Sequence, residues 1–109
     1  MSFQCYDVTL QLAAELLEPI ELVRARRPDL ADQLDRALDS VVLNLKEGNK
    51  REGADRRRFF RYAAGSAEEI EGALDLALIR GLVAAERVAK ARELLDRSKA
   101  MLWRLTHPR

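Results

Sequence analysis

A chain of 109 residues makes one domain with a single core and is too short for two. Hydrophobic residues at 48% and charged residues at 34%, with only 5 glycines and 3 prolines, exclude disordered and collagen-like classes and favour long helices. With 19 basic side chains against 18 acidic ones the net charge is +1, so any attraction to nucleic acid or membrane has to be local.

In chain order, Phe3, Tyr6, Leu10, Ala13, Leu17 and Ile20 recur in steps of three and four and predict the apolar stripe of a first helix. Pro19 lies inside that stretch, where it removes a backbone donor and crowds the Glu15 carbonyl, so a kink or a frayed last turn is expected. The stretch RARRPDL reads as a turn, with Pro28 suited to the first position of a second helix. That helix carries two apolar lines, Leu30, Leu34, Ala37, Val41, Asn44 and Gly48, and Ala31, Leu38, Val42 and Leu45, so it needs two neighbours. GNKREG then reads as a helix C-cap and a short loop, with Gly53 as a weak N-cap for the next helix. The third helix shows Phe59, Ala63, Ser66, Ile70, Ala73 and Ala77 on one line, with Phe60, Ala64, Ala67, Leu74 and Leu78 beside it, and ends near Gly81. The fourth repeats the scheme with Ala84, Val88, Ala91, Leu95, Ser98, Leu102 and Leu105. No strand pattern competes, and short connections force sequence neighbours to run antiparallel, so the expected fold is all-α, an up-down-up-down four-helix bundle spanning residues 1–109.

The residues QLDRALDSVVLNLKEGNKR followed by RFFRYAAGSAEEIEGAL carry a pattern in fixed register: Gln33, Arg36, Ala37, Ser40, Asn44, Glu47, Gly48, Arg51, Phe59, Ala63, Gly65, Ser66 and Glu69. This pattern resembles the signature of four-helix bundle proteins encoded in intervening sequences of bacterial 23S ribosomal RNA genes. The resemblance implies a homo-oligomer, typically a ring-shaped pentamer, without enzymatic activity. Related bundles are accessory proteins of diversity-generating reverse transcriptases and bind nucleic acid, so the resemblance also implies RNA, DNA, a reverse transcriptase or another protein as partner.

Asn44 sits in an apolar stripe, and burying an amide without partners costs about 1–3 kcal/mol. The expected answer is a structural polar cluster of Asn44, Glu47, Arg51, Ser66 and Glu69, with Arg51 paired to Glu47 or Glu69 and Asn44 bonded to the third helix. Glu47 and Glu69 as a metal-binding or acid-base pair is the competing reading. It lacks the Glu-x-x-His pattern of carboxylate-bridged metal bundles, so no metal or cofactor is expected. His107, the only histidine, reads as an exposed tail residue, and Cys5, the only cysteine, as a small half-buried hydrophobe, which leaves no catalytic triad to build. Nor is there a P-loop, a dinucleotide-binding glycine pattern or HExxH. Gly65 and Gly72 thin one side of the third helix, which predicts close approach of another helix, more readily within the chain than from a second copy.

Charge is uneven. Residues 46–61 hold seven basic side chains (Lys46, Lys50, Arg51, Arg56, Arg57, Arg58, Arg61) against three acidic ones (Glu47, Glu52, Asp55), whereas residues 62–79 hold four acidic ones (Glu68, Glu69, Glu71, Asp75) and no basic one. Either the basic end of one subunit meets the acidic middle of the next around a ring, or Lys50, Arg51, Arg56, Arg57 and Arg58 form a phosphate-binding rim. Phe59, Phe60 and Tyr62 read as core or interface rather than stacking platforms. The N-terminal MSFQCYDVTL has no basic leader before an apolar run, and no segment reaches about eighteen apolar residues, so a cytoplasmic protein is expected.

Overall fold

A computed structural model describes residues 3–108. Four helices account for nearly all of them: α1 (Gln4–Arg24), α2 (Pro28–Asn49), α3 (Gly53–Ile79) and α4 (Ala85–Thr106). Each helix packs against its sequence neighbours, α1 also closes on α4, and the α2/α3 interface is the most extensive, so the four stand at the corners of a square. The result is an all-α bundle of 43 × 22 × 19 Å. Alternation of direction puts the start of α1, the α2–α3 loop and the end of α4 at one end, and the other two connections at the opposite end. There Arg26 Nη1 donates to the Gly81 carbonyl at 3.0 Å and joins the two connections.

The core is aliphatic with one ring: Leu12, Leu16, Val23, Leu34, Val41, Leu45, Ile70, Leu74, Leu94, Leu95 and Leu102 are fully or almost fully buried, as is Phe60. A Thr9–Ser98 hydroxyl pair at 3.0 Å bridges α1 and α4 inside this core. Thr9 gives its proton to the Cys5 carbonyl at 2.8 Å, so Ser98 is the donor of the pair.

On α1 the buried line is Cys5, Val8, Leu12, Leu16, Pro19, Ile20 and Val23. Of the stripe read from sequence, Ile20 is buried and Phe3, Tyr6 and Ala13 pack partly buried against the core, whereas Leu10 and Leu17 are exposed and their places are taken by Leu12 and Leu16. Both stripes satisfy a three-four rhythm, and only the tertiary environment selects between them. Nor does Pro19 fray the last turn of α1, which continues to Arg24 with the proline buried. The turn beyond it is held by Arg24, which pairs with Glu21, with Asp32 at 2.7 Å and with Asp35, tying α1 to α2.

Gly53 is the first residue of α3, at φ +60°, rather than its cap, which is Glu52. α3 ends in a Schellman turn: Gly81, at φ +67°, donates to the Leu78 carbonyl at 3.1 Å, and Leu82 donates to the Ala77 carbonyl at 2.9 Å. Among the described residues no helix is long and apolar enough to cross a membrane.

Candidate functional site

The α2–α3 hairpin brings the quoted pattern together at one end of the bundle. Gly48 is not a cap but a buried residue of α2, where it lets the Phe60 ring lie against the helix backbone. Arg56 explains why a cation is tolerated in the first turn of α3: its Nη1 donates to the carbonyls of Gly48 (3.3 Å) and Asn49 (3.0 Å). It therefore satisfies the C-terminal end of α2, with its guanidinium 4.7 Å from the Phe60 ring centroid.

Other cations of the expected rim are occupied differently. Arg51 pairs with Glu47 at 2.7 Å and with Asp55 at 3.1 Å; Arg58 pairs with Asp55 at 2.6 Å; Lys50 stands 3.5 Å from Glu47. The Glu47 carboxyl is held below its ordinary pKa by hydrogen bonding from Arg51, and that of Asp55 by hydrogen bonding from Arg58. Arg57 and Arg61 have no partner among the described residues. Phe59 and Tyr62 are not core: they form an edge-on pair at 5.9 Å, Tyr62 is 50% exposed, and Arg51 and Arg58 both stand over the Phe59 ring.

The expected polar cluster divides in two. Asn44 does not reach α3; its Nδ2 donates to the Ser40 carbonyl at 2.8 Å and to Ser40 Oγ at 3.0 Å, one turn back on its own helix. Ser66 Oγ donates to the same Ser40 Oγ at 2.8 Å, so Ser40 is the junction between α2 and α3. Sequence reasoning placed Ser40 in the pattern but not in the cluster, although its position four residues before Asn44 was the available signal. Glu47 and Arg51 form a separate ion pair beyond Asn44, and Glu69 joins neither group.

Glu69 instead lines an open groove of about 520 Å³ between α2 and α3, with Gln33, Arg36, Ser40, Ser66, Gly72 and Leu76. Arg36 and Glu69 are both exposed and without a partner among the described residues. A side chain at Gly72 or Gly65 would meet nothing within 4 Å, so no helix of the chain packs on either glycine, contrary to the expectation of close packing inside the chain. The acidic stretch of α3 is answered largely within the molecule: Glu68 and Glu71 reach Lys99 at 2.9 and 2.7 Å, and Asp75 reaches Arg92 at 3.1 Å. Burial works against the charge of Lys99, and the two carboxylates more than offset it, so its pKa is raised.

Cys5 is buried, with its thiol pushed up to about 11 by desolvation. His107 is exposed and stacks on Trp103 with ring centroids 4.3 Å apart. Among the described residues no group of three or more His, Cys, Asp or Glu is placed to hold a metal ion.

Residues 1–104 match the family model of the 23S rRNA-intervening sequence protein. The chain belongs to this family. A similar solved structure is that of a protein of unknown function from the S23 ribosomal protein family of Bacteroides thetaiotaomicron, with a TM-score of 0.83 at 15% identity. The alignment covers 94% of this chain and 97% of that one, and at such identity it shows the shared fold alone. No curated protein sequence matches the chain. As a member of the 23S rRNA-intervening sequence family, the protein carries the pattern's polar residues along the exposed α2/α3 face and its hairpin end: Gln33, Arg36, Ser40, Glu47, Arg51 and Glu69.

Proposed function

We propose that this chain is a non-catalytic bundle that self-assembles into a ring, a pentamer by family resemblance, and serves as an accessory protein to nucleic acid. The observation that carries the assembly is the set of large apolar side chains left in water on two unlike faces. Leu17 (70% exposed) and Leu43 (66%) stand with Leu10 along the α1/α2 ridge, and Ile79 (84%) stands with Leu76 on α3, beside the open groove. Two different faces joined copy to copy make a heterologous contact, which closes as a ring when the rotation permits. The unpaired Arg36 and Glu69 beside the groove supply directional polar partners for such a contact.

The nucleic-acid role is supported by the excess of four positive charges in residues 46–61, which a ring would repeat around one rim. Because Arg51, Arg56 and Arg58 have intramolecular partners, the cations most available to phosphates are Arg57, Arg61 and Lys50. Light scattering on the purified chain tests assembly: a defined oligomer is expected, reduced toward monomer by Leu17→Glu or Ile79→Lys. A monomer at micromolar concentration removes the ring. Anisotropy titration against RNA and DNA tests the second part, and absence of binding at low salt removes it. The rival reading, a purely structural scaffold, is favoured by the occupied arginines and would stand if assembly survived while binding did not.

A further inference from the structure

Away from the hairpin, α3 and α4 enclose a cleft of about 310 Å³ lined by Ala64, Gly65, Glu68, Lys99, Trp103 and His107. Trp103 is 61% exposed although it is the largest side chain of the molecule and its only tryptophan. One face of its indole is covered by His107, at an interplanar angle of 13°, and the ring is held there because His107 Nδ1 lies 2.9 Å from the Trp103 carbonyl and 3.1 Å from Thr106 Oγ1. On the α3 side Gly65 contributes no side chain to the lining, and a Cβ there would meet nothing within 4 Å. The lining also holds the Lys99–Glu68 ion pair at 2.9 Å, offering donors and a carboxylate acceptor. Gly65 continues a line of α3 residues at four-residue spacing through Arg61 and Arg57, and neither arginine has a partner among the described residues.

We propose that this cleft is a stacking slot for one unpaired base of a single-stranded nucleic acid, with Trp103 as platform and Arg61 and Arg57 taking the adjoining phosphates. The inference rests on the nucleic-acid reading above and narrows it to single strands, because a base reaches an aromatic face in a cleft only when it is free of a duplex stack. An indole 61% exposed, open space at Gly65 in the same cleft and unpartnered guanidiniums one and two turns along α3 match the base and phosphates of one strand. A protein helix would need an apolar row where this cleft presents an ion pair.

The test is an oligouridylate titration at low salt, read both by anisotropy of the labelled strand and by the emission of Trp103, with the oligo(A)–oligo(U) duplex as comparison. Saturable quenching by the single strand is expected, on the same curve as the anisotropy. Gly65→Leu, which fills the slot and preserves the indole, and Trp103→Ala are each expected to weaken single-strand binding by about tenfold or more. Arg61→Gln is expected to lower the salt slope by about 0.7. Helical circular dichroism confirms folding of each variant. Binding that leaves Trp103 emission unchanged and is indifferent to Gly65→Leu and Trp103→Ala overturns the slot and leaves the nucleic-acid reading standing, as does equal affinity for the duplex. No binding of either form removes both.

Discussion

Gly48 of α2 lies directly against the ring of Phe60 on α3, so closely that a Cβ at position 48 would fall 2.7 Å from Phe60 Cε1 and 3.2 Å from Phe59 Cβ. Phe60 is 1% exposed and part of the central core, so it has little room to retreat. Gly48→Ala is therefore expected to destabilise the bundle by about 1–3 kcal/mol in urea denaturation, despite a gain of about 1 kcal/mol in helix propensity. Gly65→Ala and Gly72→Ala, whose new methyl groups meet nothing within 4 Å, should instead stabilise by about 0.5–1 kcal/mol each. A neutral Gly48→Ala would show that the hairpin is looser than this contact requires.

Arg56 and Arg57 are neighbours in sequence with opposite duties. Arg56→Ala removes the donors that satisfy the Gly48 and Asn49 carbonyls and the guanidinium stacked on Phe60, and should cost about 1–2 kcal/mol of stability. Arg57→Ala breaks no observed interaction and should stay within about 0.5 kcal/mol of the parent chain. Thermal melts of the two variants check the contrast, and equal losses would contradict the assignment of Arg56 as the cap of α2.

The Thr9–Ser98 pair should respond asymmetrically. Thr9→Val strands the Ser98 hydroxyl in a buried site, at a cost of about 1–3 kcal/mol, whereas Ser98→Ala leaves Thr9 still donating to the Cys5 carbonyl and should cost about 1 kcal/mol or less. The double variant should then lose less than the two single losses combined. Strict additivity in a double-mutant cycle would mean that the hydroxyls act independently.

Alkaline stability should report Cys5. Its thiol has an ordinary pKa of 9.0 and is pushed up to about 11 in the folded chain, so above the lower value the unfolded state gains a thiolate that the folded state resists. Stability is then fully present below pH 9.0 and declines as pH rises toward about 11, and Cys5→Ala should flatten that decline. At the acid side Asp29, lowered from 3.8 to about 2 by its hydrogen bond from Arg27, contributes stability above its unfolded value that is lost as pH falls between the two. Asp29→Asn should reduce the acid slope of the melting temperature in that window.

Helix number, order and the α2 and α3 core lines were legible because apolar spacing is a local property and the polar loops interrupt it clearly. The error on α1 has a physical origin: Leu10 and Leu17 satisfy the same rhythm as Leu12 and Leu16, and which row is buried depends on where α2 and α4 stand. Partner choice was less legible still. Glu47, Glu69 and Asp55 are equivalent carboxylates to a sequence reader, yet only Glu47 and Asp55 come within reach of Arg51. Trp103 lies off the apolar line of the fourth helix, and nothing local gives it a role until its neighbours across the interface, Gly65 among them, are known.

The even number of rods returns the polypeptide to its starting end, so Phe3 and the last turn of α4 flank the same basic hairpin that carries Arg56. An affinity tag fused close ahead of Phe3 or close behind α4 would crowd the rim whose binding it was meant to help measure. A label carried instead at the opposite end, beside the α1–α2 and α3–α4 connections, keeps the rim clear.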